Sequence, residues 1–363
     1  MSIPLSYQKI EIDLLKCPNS EELMLKISNK TLLAVATSGI LAFGTPIHAA
    51  QLFKGHTGNS GGSTYVPFVA FTKQAEKAGV RIEVNAGKTL TKSLLALAKG
   101  NIQFSSAIPV AYLFLGKQKK MYKKLKNGKE LQSKIRSILG YLAGTFHPIT
   151  FDDAGIKTFK DIKGKTVFTG PPGGSATASQ EDLIRAVTGY EPGKDYRAIH
   201  LAWGQGKNAM RDGKLDMYLV PAQIGSANVQ ELALKKPIRI LTIPKKAAKS
   251  DLFKRILKRP GRGMATVSKS TYKGQVNEKD MWMMSADQYI GTSTHVSADV
   301  VYKVTKAFWE NLADVHATAV SLQSITKETA FTSVDAPLHK GAYRYYKEAG
   351  FKVPSRLIPP EAK

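Results

Sequence analysis

Along most of this chain one unit keeps returning: a short β-like run, a loop of small residues, then an amphipathic helix. The first runs Gln51-Leu-Phe-Lys-Gly-His56, then Gly58-Asn-Ser-Gly-Gly-Ser-Thr64, then a helix from about Pro67 to Lys77. The next is Val80–Val84, Asn85-Ala-Gly-Lys-Thr89, and a helix through Leu94, Leu95 and Leu97 that stops at Gly100. Thr166-Val-Phe-Thr169 leads into Gly170-Pro-Pro-Gly-Gly-Ser-Ala-Thr177 and a helix containing Leu183, Ile184 and Val187. Ala198–Leu201, a helix around Asn208–Arg211 and the run Asp216–Val220 continue the pattern. Strands alternating with helices predict an α/β fold with mostly parallel sheets. Such sheets take ligands beyond the carboxyl ends of their strands.

Length and charge narrow the class. At 363 residues the chain is long enough for about two domains of ~150 residues. Its 53 Lys and Arg against 28 Asp and Glu leave a net charge of +25. A field of that sign draws in nucleic acid, an acidic membrane or small carboxylates alike.

The N-terminus bears on the choice. From Met24, Lys26 and Lys30 precede the apolar run Thr31–Phe43, and Pro46-Ile-His-Ala-Ala50 follows. A charged start, a short apolar stretch and a small-residue exit describe a secretory signal peptide. The run is well under the ~20 residues a membrane span needs. Residues 1–23 carry Glu11, Asp13, Glu21 and Glu22, which do not suit a signal, so Met24 reads as the start and Ala49 as the cleavage region. An exported chain rarely meets genomic DNA, and no nucleic-acid partner is expected. The single cysteine, Cys17, precedes the apolar run, so it excludes an internal disulfide and does not fit a lipid anchor.

Catalytic and metal motifs fail one by one. Gly87-Lys88-Thr89 has the ending of a phosphate loop, but its upstream glycine position is Ile82. The seven histidines contain no i,i+4 pair, and no Gly-x-Ser-x-Gly elbow occurs. Neither an enzyme, a metal nor a cofactor is expected. What recurs is the Gly/Ser/Thr loop entering a helix, where unpaired N–H groups and the helix dipole accept an anion. Ordinary helix caps use the same residues. Thr177 and Gln180 fit a capping box at one such junction. Two basic runs, Lys117–Lys129 with seven lysines and no acid, and Lys245–Arg262 with one Asp, read either as a docking face or as solvated helix surface. Each run holds a single aromatic, Tyr122 or Phe253, too few to interleave with the bases of a bound strand, which favours the solvated surface.

Gly58–Tyr65, Gly155–Val167 and Gly170–Ser175, followed in order by Ala209–Asp216, Thr271–Gln275, Val301–Lys306 and Pro337–Gly350, resemble the TAXI family of solute receptors of TRAP transporters. The resemblance covers nearly all of the chain after the signal. It implies a type II periplasmic-binding-protein fold, an α/β architecture of two lobes joined by a hinge with a ligand cleft between them. Lobe I would be 50–146 plus 280–363 and lobe II 147–279, with 1–49 as extension and signal. It implies capture of a small organic anion, such as an amino acid, keto-acid or dicarboxylate, and delivery to the membrane permease subunits of a TRAP transporter. The chain would be periplasmic and not itself membrane-spanning after cleavage. A periplasmic sensor feeding a signalling partner and a basic anion-binding surface protein are the alternatives.

The resemblance also implies site residues. Ser63, Thr64 and Tyr65 fall on the family's first-loop motif, and Ser175 and Thr177 on the loop of the second lobe. Trp203 stands where an aromatic is usual, Gln223 where a small residue is common, and Lys88 offers an ammonium for a carboxylate. Lys88-Thr89-Leu90 replaces a Gly-Gly-Ser-like stretch, and Ala107-Ile108-Pro109 lacks a usual Gln, so glutamate specificity does not transfer.

Overall fold

In the computed structural model, which describes residues 51–60 and 62–362, each of those units forms much where the periodicity places it. The strands are β1 (Gln51–His56), β2 (Val80–Asn85), β3 (Phe104–Ala107), β4 (Ile135–Tyr141), β5 (Thr145–Phe151) and β6 (Thr166–Phe168). They continue as β7 (Arg197–Ile199), β8 (Met217–Ala222), β9 (Ile238–Ile240), β10 (Met264–Val267), β11 (Met281–Met284) and β12 (Gln288–Ser293). Helices begin earlier than the apolar pattern suggests, at Tyr65 rather than Pro67 and at Trp203 rather than Asn208. The first turn of a helix needs no buried stripe, so hydrophobic periodicity does not register it. The expected signal peptide lies outside the described residues.

Two five-stranded sheets result, ordered β2-β1-β3-β12-β4 and β7-β6-β8-β5-β9, with β10 and β11 as a separate antiparallel pair. The expectation of mostly parallel sheets is corrected here. β1 pairs in parallel with β2 and β3, and β6 with β7 and β8. β12 runs antiparallel to β3 and β4, and β5 antiparallel to β8 and β9. The reversed strands are those adjoining the passages between sheets. The chain leaves β4, turns through 142–144 and enters β5; it returns from β11 through 285–287 into β12. The two passages are stitched together, with Ala286 N–H donating to Gly144 C=O at 2.9 Å. Gly144 has φ of 127°, and a Cβ there would lie 2.1 Å from Ala222 O, so only glycine fits this crossing. This is the two-lobed α/β architecture that the resemblance implies.

Each lobe has its own core. In the first, Phe71 packs against Phe104 at 5.9 Å and against Phe308 at 6.1 Å between ring centroids. The C-terminal helix Lys340–Glu348 is fastened to the same lobe: Trp309 Nε1–H donates to Tyr346 Oη, which donates to Ile138 C=O of β4, both at 2.9 Å. In the second lobe Phe168 stacks on Tyr218 at 5.0 Å and meets Trp203 edge-on at 5.6 Å. That aromatic group joins the C-terminal end of β6 to the start of β8, where Phe168 pairs with Tyr218.

Candidate functional site

A cleft of about 800 Å³, its open mouth included, lies between the two lobes where the strand-to-helix loops converge. Six helices start on its wall. Thr64 precedes helix Tyr65–Lys77, Thr89 precedes Leu90–Ala98, Ile108 precedes Pro109–Gly116 and Gly174 precedes Ser175–Thr188; Trp203 opens Trp203–Arg211 and Ser226 precedes Ala227–Lys235. At none of the six does the residue before the helix hydrogen-bond a first-turn N–H with its side chain. Some first-turn donors bond carbonyls at their own helix start, as Lys92 N–H does to Thr89 C=O at 2.8 Å and Val229 N–H to Ser226 C=O at 3.0 Å, and Gln205 Oε1 accepts from Ala202 N–H at 3.2 Å; no capping hydroxyl competes for the others.

Where the hydroxyls go explains this. Thr64 Oγ1 accepts from Gly58 N–H at 3.1 Å, folding the first loop back on itself. Ser63, 4% exposed, takes a contact from Gln288 Nε2 at 3.4 Å, and Gln288 is held by Tyr141 Oη at 3.0 Å. In the second lobe Thr177 Oγ1 donates to Pro171 C=O at 2.7 Å and Gln180 Nε2 to Thr169 C=O at 2.8 Å. The proposed capping box of Thr177 and Gln180 is thereby corrected. The helix starts at Ser175, so Thr177 lies inside it, and both side chains brace the preceding loop. Gly170 there has φ of 117°, and a Cβ would meet Thr177 Oγ1 at 2.6 Å and Trp203 at 3.3 Å.

Two hydroxyls at the wall have no partner. Ser175 Oγ and Ser226 Oγ are buried and unbonded, the residues being 1% and 7% exposed. Burying an unsatisfied hydroxyl costs about 1–3 kcal/mol, and an arriving acceptor recovers it. Behind Ser226, Gly225 N–H donates to Tyr272 Oη at 3.1 Å, and Tyr272 bonds His147 Nε2 at 2.9 Å. Burial depresses the His147 imidazole to about 4, which leaves Nε2 free to accept while Nδ1–H donates to Thr145 C=O.

Charge on the wall has one sign. Lys88 sits exposed at the rim and Lys207 lies deeper, while no Asp or Glu is among the described lining residues. Lys207 Nζ is engaged by Glu231 at 2.7 Å and Asn228 at 3.2 Å. His56, just behind the first loop, is held below its ordinary pKa by burial and then by Lys88. Two hydrogen bonds span the mouth: Thr91 Oγ1–H to Gly173 C=O at 2.9 Å and Asn228 Nδ2–H to Ser60 C=O at 3.2 Å.

Of the residues singled out from sequence, Ser63, Thr64, Lys88, Ser175 and Trp203 come together on this wall, whereas Tyr65, Thr177 and Gln223 do not line it. Thr177 is spent on Pro171, and the Gln223 carbonyl closes the turn before the helix by accepting from Ser226 N–H at 3.0 Å. Sequence reasoning missed Ser226, Asn228, Tyr218 and Gln288. Ser226 follows strand β8 and precedes a helix, the same junction already recognised elsewhere, and was therefore findable. Gln288 carries no such signal, because β12 is brought to the site by the return passage alone. Among the described residues no cluster of three potential metal ligands occurs, and no helix is long and apolar enough to cross a membrane.

Two α/β lobes thus meet over a cleft walled by helix starts. The chain belongs to the NMT1-like family, whose model matches residues 56–350. Among solved structures it is similar to the alkanesulfonate-binding protein SsuA from Xanthomonas axonopodis pv. citri bound to MOPS, at 12% identity, 86% of this chain, 97% of that one and a TM-score of 0.46. It is also similar to the periplasmic ectoine-binding protein of the TeaABC TRAP transporter of Halomonas elongata, at 13% identity, 82% and 90% coverage and a TM-score of 0.43. A TRAP periplasmic solute-binding protein from Sulfitobacter sp. NAS-14.1 with bound β-D-galacturonate gives 12% identity, 82% and 94% coverage and a TM-score of 0.44. All three are binding proteins rather than enzymes.

Proposed function

We propose that this chain is an extracytoplasmic solute receptor of the TAXI type, which captures a small organic anion by closure of its two lobes and delivers it to a TRAP permease. The lobes are read as 50–146 with 280–363 and as 147–279, moving about the paired passages at 142–144 and 285–287. The segment up to Ala49 is read as an extension and cleaved signal. The observation that carries the proposal is the wall of the cleft: six helix starts without side-chain caps, two buried hydroxyls without partners, two lysines and no described carboxylate. Partial positive charge at each helix start favours an anion by about 0.3–1 kcal/mol, more where water is excluded. Trp203, Tyr218, Val220 and Pro221 supply an apolar wall for the body of such a ligand. A cation would find no counter-charge there.

The test is a thermal-shift screen of the protein against amino acids, keto-acids, dicarboxylates, sulfonates and phosphate, with polyamines as the opposite charge class. A ligand at 100 times its Kd stabilises by about 2.7 kcal/mol, a shift of several degrees. One organic-acid class should stand out. A response to cations with none to anions would overturn the reading.

A further inference from the structure

The two basic runs, more than a hundred residues apart in sequence, meet in the fold. Asp182, on helix Ser175–Thr188 with only 5% of its side chain exposed, binds Lys120 Nζ of the first run at 3.2 Å and Arg259 Nη1 of the second at 2.7 Å. Arg185 takes the same carboxylate at 2.7 Å. Burial pushes this carboxyl up, but Arg259 and Lys120 hold it below its ordinary range, so it stays a charged tie between the runs. Arg259 also lies over the Phe114 ring at 5.7 Å, on the helix Pro109–Gly116 that leads into the first run.

Around this junction positive charge is left over. Lys117, Lys119, Lys123, Lys124, Lys126 and Lys129 are exposed and have no acidic partner within 4 Å among the described residues. Arg255 and Lys258 are in the same position on the second run. The acids nearby are already occupied, Glu130 by Lys134 at 2.9 Å and Asp251 by Lys254 at 3.6 Å. The exposed large apolar side chains, Leu52, Leu142, Ile224 and Leu234, belong to neither run. A face that is basic, ion-paired into a fixed geometry and without apolar anchors suits complementary charge on another folded surface. A bilayer would be gripped better by a face bearing inserted apolar groups.

We infer that the two basic runs, joined at Asp182 into one rim, form a single docking face for an acidic surface of a partner protein. It draws on one segment from each lobe, so it is whole only when the lobes stand as they do here. The inference does not depend on what the cleft binds.

It is tested on the full chain by calorimetric titration with an oligo-glutamate peptide at low and at raised salt. The variants are Lys123→Glu with Lys124→Glu on the first run, and Arg255→Glu with Lys258→Glu on the second. Lys303→Glu with Lys306→Glu, on helix Ala298–Glu310, makes the same charge change away from the rim. Each rim pair should weaken binding about tenfold at unchanged one-to-one stoichiometry, with the distant pair changing it less than about twofold. Equal loss in all three variants would reduce the effect to net charge and overturn the inference. So would a stoichiometry that drops from two to one when either half is reversed, since the runs would then be separate. Loss of binding to phosphatidylglycerol vesicles in the rim variants, with oligo-glutamate binding intact, would replace the protein partner by a membrane. Melting curves of each variant confirm that it is folded.

Discussion

Helix starts in this molecule fall into two groups. The six at the cleft make no side-chain cap, although Thr64, Thr89 and Ser226 carry suitable hydroxyls. Of the five other α-helices among the described residues, three are capped in the ordinary way. Ser250 accepts from Phe253 N–H, Ser297 from Val300 N–H, and His339 Nδ1 from Gly341 N–H at 3.2 Å. The same residue types therefore serve two ends. Away from the cleft a hydroxyl closes its helix and stabilises the fold. At the cleft the Thr64 hydroxyl is diverted to Gly58 and those of Ser175 and Ser226 stay unpaired, so stability is given up where a ligand can restore it.

The capped group can be broken most strongly by acid. His339 donates Nε2–H to Val296 C=O at 3.0 Å while Nδ1 accepts from Gly341, an arrangement open only to neutral imidazole. Burial, against a partial offset from the Val296 bond, lowers its pKa to about 4. Between about 6.5 and 4 the unfolded chain binds a proton that the folded chain refuses, so stability is full above 6.5 and falls as pH drops through that window. The size is about 3 kcal/mol for this imidazole. His339→Asn keeps a capping acceptor that does not titrate, and melting curves from pH 7 to 4.5 should be visibly flatter than for the parent protein.

The open group is tested from the other side by filling it. Ser175→Asp places a fixed carboxylate at a buried helix start, where it competes with the ligand and satisfies the dipole itself. Affinity for the organic anion found by screening should fall by about a hundredfold, or ~2.7 kcal/mol, while the melting temperature of the unliganded protein holds or rises. Unchanged affinity would remove this helix start from the site.

The smallest effect belongs to an ordinary cap. Ser297→Ala should lower stability by about 1 kcal/mol, read as a shift of a few degrees at most, and leave ligand affinity within about twofold. A change in affinity there would erase the distinction between the two groups.

Much of the architecture could be read before any coordinates. Runs such as Val80–Val84 and Asp216–Val220, punctuated by Gly/Ser/Thr loops and followed by apolar-striped helices, report their own local conformation, because strand and helix periods are properties of neighbouring residues. The site residues came from the family resemblance and, for Lys88, from its charge; of these, Ser63, Thr64, Lys88, Ser175 and Trp203 lie on loops that do meet. Tyr65, Thr177 and Gln223, named on the same ground, do not line the cleft, since being on the right loop does not decide which way a side chain is spent.

The sequence by itself determined the succession of strand, loop and helix, the basic charge and the presence of hydroxyls at helix starts. Only the tertiary structure decided that β5 and β12 run against their neighbours and that Gln288 reaches the cleft from the return strand. It also decided that Thr64 turns away from its own helix, and that two lysine-rich runs share one aspartate. The reason is one of range. Periodicity and capping potential act over a few residues, whereas sheet order, the choice among competing hydrogen-bond partners and the meeting of charges depend on segments brought together from across the chain.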